Sequence, residues 1–295
     1  YSNGGALAMQ YALDALEDAS LPRPDRVVLL SPMIGVTAFA RFAGIAGLPA
    51  ILPAFAKAAW LDVSPEFNPF KYNSFPVNAA RQSFLLSHAL QREIARLAGE
   101  GRLAGLAPVL TFQSVVDSTV STQAILAALY AHLPANGSEV VLYDANRNAG
   151  FRLLLRSSAE VELGRLLPAP PRHYRTTVLE SAGVDGRAIE ERVVEAGSVT
   201  ESARALDLAF PPGVFSLSHI ALPFAIDDGL YGLEPDPSED FGLRLGAIAL
   251  RGERGVLVLG PDTLLRMSSN PFFSYQLERI SEGLGPVRRG AAAAD

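Results

Sequence analysis

Short runs of aliphatic and β-branched residues alternate with segments of helical periodicity along the first half of the chain. Runs of this kind, closed by proline, glycine or polar residues, are typical of strands buried on both faces of a parallel sheet. The predicted strands cover 26–32, 107–113 and 138–144, and the predicted helices cover 4–18, 80–100 and 122–133. Because strands and helices alternate, the sequence predicts an α/β fold with a mostly parallel sheet and flanking helices.

The alternation of strands and helices loosens after residue 150. Two extended segments, 174–180 and 189–195, flank a glycine-containing turn at 183–186 and predict an added hairpin. The other predicted elements of this half are helices at 158–166 and 272–284 and strands at 243–251 and 255–260.

These elements divide the chain into core and inserted segments. Segments 1–35 and 101–149 are expected to form the core sheet, and 213–295 its C-terminal part. Segment 36–100 is rich in alanine, phenylalanine and proline, and we expect it to form a helical cap, with an ordinary helical subdomain as the alternative. Segment 150–212 is expected to be an insertion that carries the hairpin.

Composition narrows the possible functions. With 295 residues, of which 49% are hydrophobic, the chain is long enough to bury a large core. The absence of cysteine excludes disulfides, thiolate metal sites and cysteine catalysis. A net charge of −6, without a basic run interleaved with aromatic residues, argues against nucleic acid as a partner. No metal-ligand spacing or phosphate-binding loop occurs, so we expect no cofactor.

The longest apolar region, 36–60, is interrupted by Arg41, Pro49, Pro53 and Lys57. A transmembrane helix needs about 20 mostly apolar residues with few breaks, so this region is not predicted to span a membrane. It could still associate with a membrane surface, but a cap packed on its own core is favoured.

The first five residues, Tyr-Ser-Asn-Gly-Gly, match four of the five positions of the nucleophile elbow G-x-S-x-G. In that motif a serine occupies a strained turn at the start of a helix, and segment 6–13 is strongly helix-forming. Ser2 is therefore the candidate nucleophile, Gly4 the small neighbour that the turn requires, and the backbone N–H of Asn3 a candidate oxyanion donor. The strand that should precede the serine is not in this sequence, so we expect the chain to be the C-terminal portion of a larger protein.

A serine hydroxyl needs a base, and four histidines are available. His88 lies in an apolar helical segment, His132 near the end of a helix and His173 beside a proline cluster, so structural or surface roles are favoured for all three. His219 lies in a loop late in the chain, and together with Ser2 it is the candidate base.

The acid that orients the base should follow a core strand and lie between serine and histidine in chain order. Asp117 follows the strand at 107–113 and is favoured, although Asp-Ser-Thr is also good capping chemistry for a turn or helix start. Asp144, at the end of the next strand, is the competing candidate.

The chain order of Ser2, Asp117 and His219, with these strand and loop settings, resembles that of the α/β-hydrolase superfamily. Segments 68–76 and 216–224 are similar to segments of bacterial esterases and lysophospholipase-like enzymes of that superfamily. The separation of acid and base is longer than the family usually shows, which is why 150–212 is expected to be inserted.

The resemblance implies a serine hydrolase that cleaves carboxylic esters through an acyl-enzyme. The aromatic and alanine-rich cap favours an apolar acyl group, hence a small-molecule ester or lipid substrate and a carboxylesterase or lipase-like activity. A peptidase of the same fold is the nearest variant. From a different class, the chain could be a non-catalytic fragment or a binding protein on a hydrolase scaffold, and a missing N-terminal segment or chain is a possible partner.

Overall fold

A computed structural model describes most of the chain. The described residues are 1–36, 53–63, 74–145, 163–182, 186–211, 214, 216–242, 244–248 and 269–284. Eight strands lie within these ranges: β1 (Val27–Leu30), β2 (Trp60–Asp62), β3 (Phe75–Pro76), β4 (Val109–Ser114), β5 (Glu139–Tyr143), β6 (Arg175–Ala182), β7 (Ala188–Val194) and β8 (Glu201–Ala209).

Six of these strands form one mixed sheet in the order β1-β4-β5-β6-β7-β8. β1, β4, β5 and β6 are parallel to one another, whereas β7 and β8 are antiparallel to their neighbours. The prediction of an α/β class with a mostly parallel sheet is therefore confirmed. The predicted hairpin is also present as β6 and β7, and it extends the sheet beside β5.

The centre of the sheet is fully buried, since every residue of β4 and β5 is enclosed. Side chains of successive strand residues point to opposite faces. On one face Val109 and Val140 join a cluster with the first helices, and on the other Phe112 and Tyr143 join a cluster with the C-terminal helix. The unbroken aliphatic runs of the sequence thus reflect burial on both faces.

Three helices cover the sheet: α1 (Ser2–Glu17), α2 (Val77–Gly99) and α3 (Phe273–Ser281). α1 and α2 lie on one face and bury their apolar sides in the same cluster, while α3 packs on the other face. Arg96 near the end of α2 binds Glu17 at the end of α1, at 2.7 Å, and the beginnings of the two helices line a common cleft. The two helices therefore run in the same direction.

Several elements differ from the sequence prediction. The segment predicted as a helix at 122–133 is an α turn (Thr122–Ala124), a π turn (Ile125–Leu129) and a 3-10 turn (Tyr130–His132) in succession. Leu245–Ile248, predicted within a strand, is a helical turn, and positions 243 and 249–260 of that predicted strand pair lie outside the described residues. β8 was not predicted.

The predicted cap is described in part. Pro53–Ala59 forms a 3-10 helix, β2 and β3 pair antiparallel, and α2 follows directly. Segments 37–52 and 64–73 of the predicted cap, and 158–162 of the helix predicted at 158–166, lie outside the described residues, whereas Leu163–Leu166 is helical. In the described ranges, no helix combines the length and apolar character that crossing a bilayer requires.

Candidate active site

Ser2 is the first helical residue of α1, and its backbone is strained. Its φ of 49° lies in the left-handed region, which serine rarely adopts. The Ser2 carbonyl accepts a hydrogen bond of 3.0 Å from the N–H of Met33, three residues beyond the end of β1. The N–H groups of a first helical turn have no acceptor within the helix, so the Asn3 N–H is available to a developing oxyanion.

The close packing expected at Gly4 is found at Gly5 instead. A Cβ on Gly4 would meet nothing within 4 Å, whereas a Cβ on Gly5 would lie 3.0 Å from both Cα and Cβ of Pro32. Among the described residues Gly4 is therefore not crowded, and the expectation that a preceding strand requires a small residue there stays a prediction. Gly5 lets α1 cross directly over the loop that follows β1, and this crossing fixes where Ser2 stands.

Asp117 lies three residues beyond the end of β4, with its side chain fully buried. Its Oδ1 accepts hydrogen bonds of 2.9 Å from the backbone N–H groups of Thr119 and Val120, and its Oδ2 accepts one of 3.1 Å from Nε2 of Gln113. Asp117 thus closes a turn, as its capping chemistry suggested, and the N-cap of the next helix is Ser121.

His219 begins a short 3-10 turn, His219–Ala221, and is 4% exposed. Its Nδ1 lies 3.4 Å from Oδ1 of Asp117. Hydrogen bonds of catalytic groups are often long in unliganded sites and tighten around substrate. The loop is tied to the sheet by Ser114, whose hydroxyl donates to the carbonyl of Leu217 at 3.0 Å.

The other candidates lie elsewhere. His88, His132 and His173 are exposed, and the His88 ring packs against Phe84 with ring centroids 4.4 Å apart. Asp144 is half-buried, and its backbone N–H donates to Leu179 of β6 at 2.8 Å. Among the described residues, the acid that His219 contacts is therefore Asp117.

Ser2 lies at the same edge of the sheet as this pair. β1 and β4 are adjacent and parallel, so their carboxyl ends meet at one edge. The loop after β1 is joined to the loop after β4, because the N–H of Ser121 donates to the carbonyl of Gly35 at 3.0 Å and Val36 bridges to Val120. The structure thus brings Asp117 and His219 into contact, and it ties Ser2 to the loop after β1, which is in turn bonded to the loop that carries Asp117.

The contact between Asp117 and His219 favours one tautomer of the imidazole. A carboxylate facing Nδ1 of a histidine favours the tautomer with the proton on Nδ1, which leaves Nε2 as the proton acceptor. Within the described ranges, no three His, Asp or Glu side chains are grouped to hold a metal ion.

A cleft of 360 Å³ opens beside the beginning of α1. It is lined by Asn3 and by one face of α2, namely Ala79, Gln82, Ser83 and Leu86. Ligand pockets commonly occupy about 300–1,000 Å³. The cleft falls within this range, but of the candidate site residues only Asn3 lines it, and Ser2, Asp117 and His219 do not.

Sequence reasoning missed the residues that hold the acid and the histidine loop. Gln113 carries a signal that could have been used, because an amide side chain inside an otherwise apolar buried strand must find hydrogen-bond partners. Comparison with protein-family models, curated proteins and solved structures finds no match to this chain.

Proposed function

We propose that this protein is a serine hydrolase of the α/β-hydrolase type that cleaves carboxylic esters. The observation that carries the proposal is the buried contact between Asp117 and His219, at the sheet edge where Ser2 begins a helix in a strained conformation. A serine hydroxyl at a helix start, a carboxylate and an imidazole, in this chain order, are the groups that a serine hydrolase uses for acyl transfer.

In the proposed mechanism Nε2 of His219 takes the proton of the Ser2 hydroxyl as Oγ attacks the ester carbonyl carbon. Asp117 orients the imidazole and stabilises its cationic form. The N–H of Asn3 donates to the oxyanion, and loss of one such donor typically costs about 100- to 1,000-fold in rate. His219 then protonates the leaving alcohol, and the same base activates water to release the acid from Ser2.

The proposed substrate is a small ester or lipid whose acyl group occupies the cleft beside Asn3. Ala79 and Leu86 offer apolar contacts to an acyl chain, while Gln82 and Ser83 offer hydrogen bonds to a polar group on the substrate. α2 would then serve as one wall of a cap over Ser2.

Replacement of Ser2 by alanine tests the proposal. We expect the complete wild-type protein to hydrolyse p-nitrophenyl esters and to be labelled at Ser2 by a fluorophosphonate, and we expect Ser2→Ala to lose both. Ser20→Ala is the control, since Ser20 is exposed beyond the end of α1. Ester turnover or labelling that survives in Ser2→Ala would refute the assignment, and turnover of amide substrates instead of esters would favour the peptidase variant.

A further inference from the structure

Two buried side-chain amides, those of Gln276 and Asn270, form a hydrogen-bonded network with the segment that follows the turn carrying His219. Nε2 of Gln276 and Nδ2 of Asn270 both donate to the carbonyl of Leu222, at 2.9 and 3.3 Å. Leu222 directly follows the 3-10 turn, and its N–H donates to the carbonyl of His219 at 3.4 Å. Gln276 and Asn270 are each 1% exposed, so water does not substitute for these bonds.

Tyr143, the last residue of β5, connects this network to the sheet. Its hydroxyl donates to Oε1 of Gln276 at 3.2 Å, and Nδ2 of Asn270 lies 3.3 Å from the same oxygen. Burial raises the pKa of Tyr143, so its hydroxyl keeps its proton and remains a donor. The Tyr143 ring also stacks on Phe272, with centroids 5.7 Å apart, which limits its movement.

Asn270 is itself fixed at both ends. Its Oδ1 accepts the N–H of Phe272 at 2.9 Å, and its backbone N–H donates to the carbonyl of Phe224 at 2.7 Å. The amides therefore connect the end of β5, the start of α3 and the segment that directly follows the histidine turn into one unit.

We propose that Gln276 is a positioning residue for His219, held in place by Tyr143 and Asn270. Release of a buried carbonyl from its donors is costly, so the turn has one favoured arrangement in which Nδ1 faces Asp117. Displacement of a catalytic group by about 1 Å can cost about 100-fold in rate. The kinetic consequence rests on the proposed function, whereas the effect on the imidazole itself does not.

Gln276 has a matched neighbour that binds elsewhere. The hydroxyl of Tyr275, the preceding residue of α3, donates to Oε1 of Glu191 on β7 at 2.7 Å. Both side chains attach the same helix to the sheet through buried hydrogen bonds, but the bonds of Gln276 end on the histidine turn. A merely structural role predicts similar consequences for loss of either bond.

The first arm of the test is kinetic. In Gln276→Met, which keeps the length of the side chain and removes its hydrogen bonds, we expect kcat for a p-nitrophenyl ester to fall about 10- to 100-fold while KM stays within about twofold. In Tyr275→Phe we expect kcat and KM to be unchanged although the melting temperature falls. Equal kcat in Gln276→Met and wild type would overturn the proposal.

The second arm observes the imidazole directly. The protein has four histidines, so ¹⁵N-histidine labelling gives a simple spectrum, in which the signal lost in His219→Ala identifies His219. We expect Gln276→Met to shift the His219 signal and to leave the other three in place, and Tyr275→Phe to leave all four in place. An unshifted His219 signal in Gln276→Met contradicts the positioning role.

Two further outcomes of these experiments also test the proposal. If Gln276→Met does not fold, Tyr143→Phe, which removes one hydroxyl from the network, must shift the His219 signal in the same way or the proposal fails. If the wild-type protein hydrolyses no ester but Gln276→Met moves the His219 signal, the proposed function fails while the positioning role holds.

Discussion

Nδ1 of His219 lies 3.4 Å from Oδ1 of Asp117, in a contact where the imidazole is 5% exposed and the carboxylate is wholly enclosed. The same oxygen also accepts two backbone N–H groups of its own loop. The turn after β4 therefore fixes the position of Oδ1, and the contact with Nδ1 forms only when the loop that carries His219 packs against this turn.

Replacement of Asp117 by asparagine tests the role of the carboxylate. The amide keeps the shape but no longer holds the proton on Nδ1, so we expect kcat for ester hydrolysis to fall about 1,000- to 10,000-fold. Asp144→Asn is the matched control and should keep wild-type kcat. A larger loss in Asp144→Asn than in Asp117→Asn would reverse the assignment of the acid.

Gln113 should act on the rate through Asp117. Its Nε2 donates to Oδ2 of Asp117 at 3.1 Å and to the hydroxyl of Thr122 at 3.0 Å. In Gln113→Met the carboxylate keeps its two backbone donors at Oδ1 but loses the donor at Oδ2, so it is held less firmly and we expect kcat to fall about 10-fold. Gln123→Met, at an exposed position nearby, should behave as wild type in the same steady-state assay.

Two adjacent glycines should respond to alanine in opposite directions. At Gly5 the added methyl group would lie 3.0 Å from Pro32, and overpacking of this kind typically costs about 1–3 kcal/mol. At Gly4 nothing lies within 4 Å, and alanine stabilises a helix by about 0.5–1 kcal/mol relative to glycine. Urea unfolding of Gly5→Ala and Gly4→Ala measures both changes, and a destabilised Gly4→Ala would mean that the N-terminal turn is crowded after all.

The core strands of the sheet could be predicted from sequence because burial on both faces requires mostly apolar residues. β1, β4 and β5 are largely aliphatic runs, and the sequence between β6 and β7 contains glycine, a signal for a hairpin. β8 could not be predicted, since its first five residues are exposed and it carries no clear alternation of apolar and polar side chains. Its extended conformation comes from pairing with β7, which no local pattern reveals.

The candidate site could be predicted only as a set of residues. Chain order and loop positions single out Asp117 and His219, but their contact depends on tertiary packing of the histidine turn against β5 and α3. Nothing in the sequence marks Gln276 and Asn270 as important, because the role of a buried amide becomes clear only when the groups that it hydrogen-bonds are known. Sequence reasoning therefore finds the chemical groups and misses the residues that hold them.

The cleft should set acyl-chain preference. Ala79 lines the cleft, and Ala79→Phe would fill part of it, so we expect kcat/KM for long-chain p-nitrophenyl esters to fall about 10-fold relative to the acetate. Ala89→Phe, on an exposed part of the same helix, is the matched control and should leave the ratio unchanged. A parallel loss for acetate and long-chain esters in Ala79→Phe would place the acyl group outside the cleft.

The hydrogen bond between Tyr275 and Glu191 should make stability depend on pH. Burial acts to raise the pKa of Glu191, but hydrogen bonds from Tyr275 and Arg204 outweigh it and leave the pKa below its ordinary value. A carboxyl with a lowered pKa stabilises the fold above its unfolded-state pKa of about 4.3, and that stabilisation is lost as the pH falls through the folded-state pKa.

We therefore expect Tyr275→Phe to lower the free energy of unfolding by about 1.5–3 kcal/mol at neutral pH, the usual range for a hydrogen bond to a charged group. The difference from wild type should shrink as the pH is lowered below about 4, because a protonated Glu191 gains less from the donor. Tyr11→Phe is the control, since the exposed Tyr11 hydroxyl donates to the uncharged carbonyl of Pro22 at 2.9 Å. Its effect should be small and constant with pH, and an equally constant effect of Tyr275→Phe would show that Glu191 is not the charged partner.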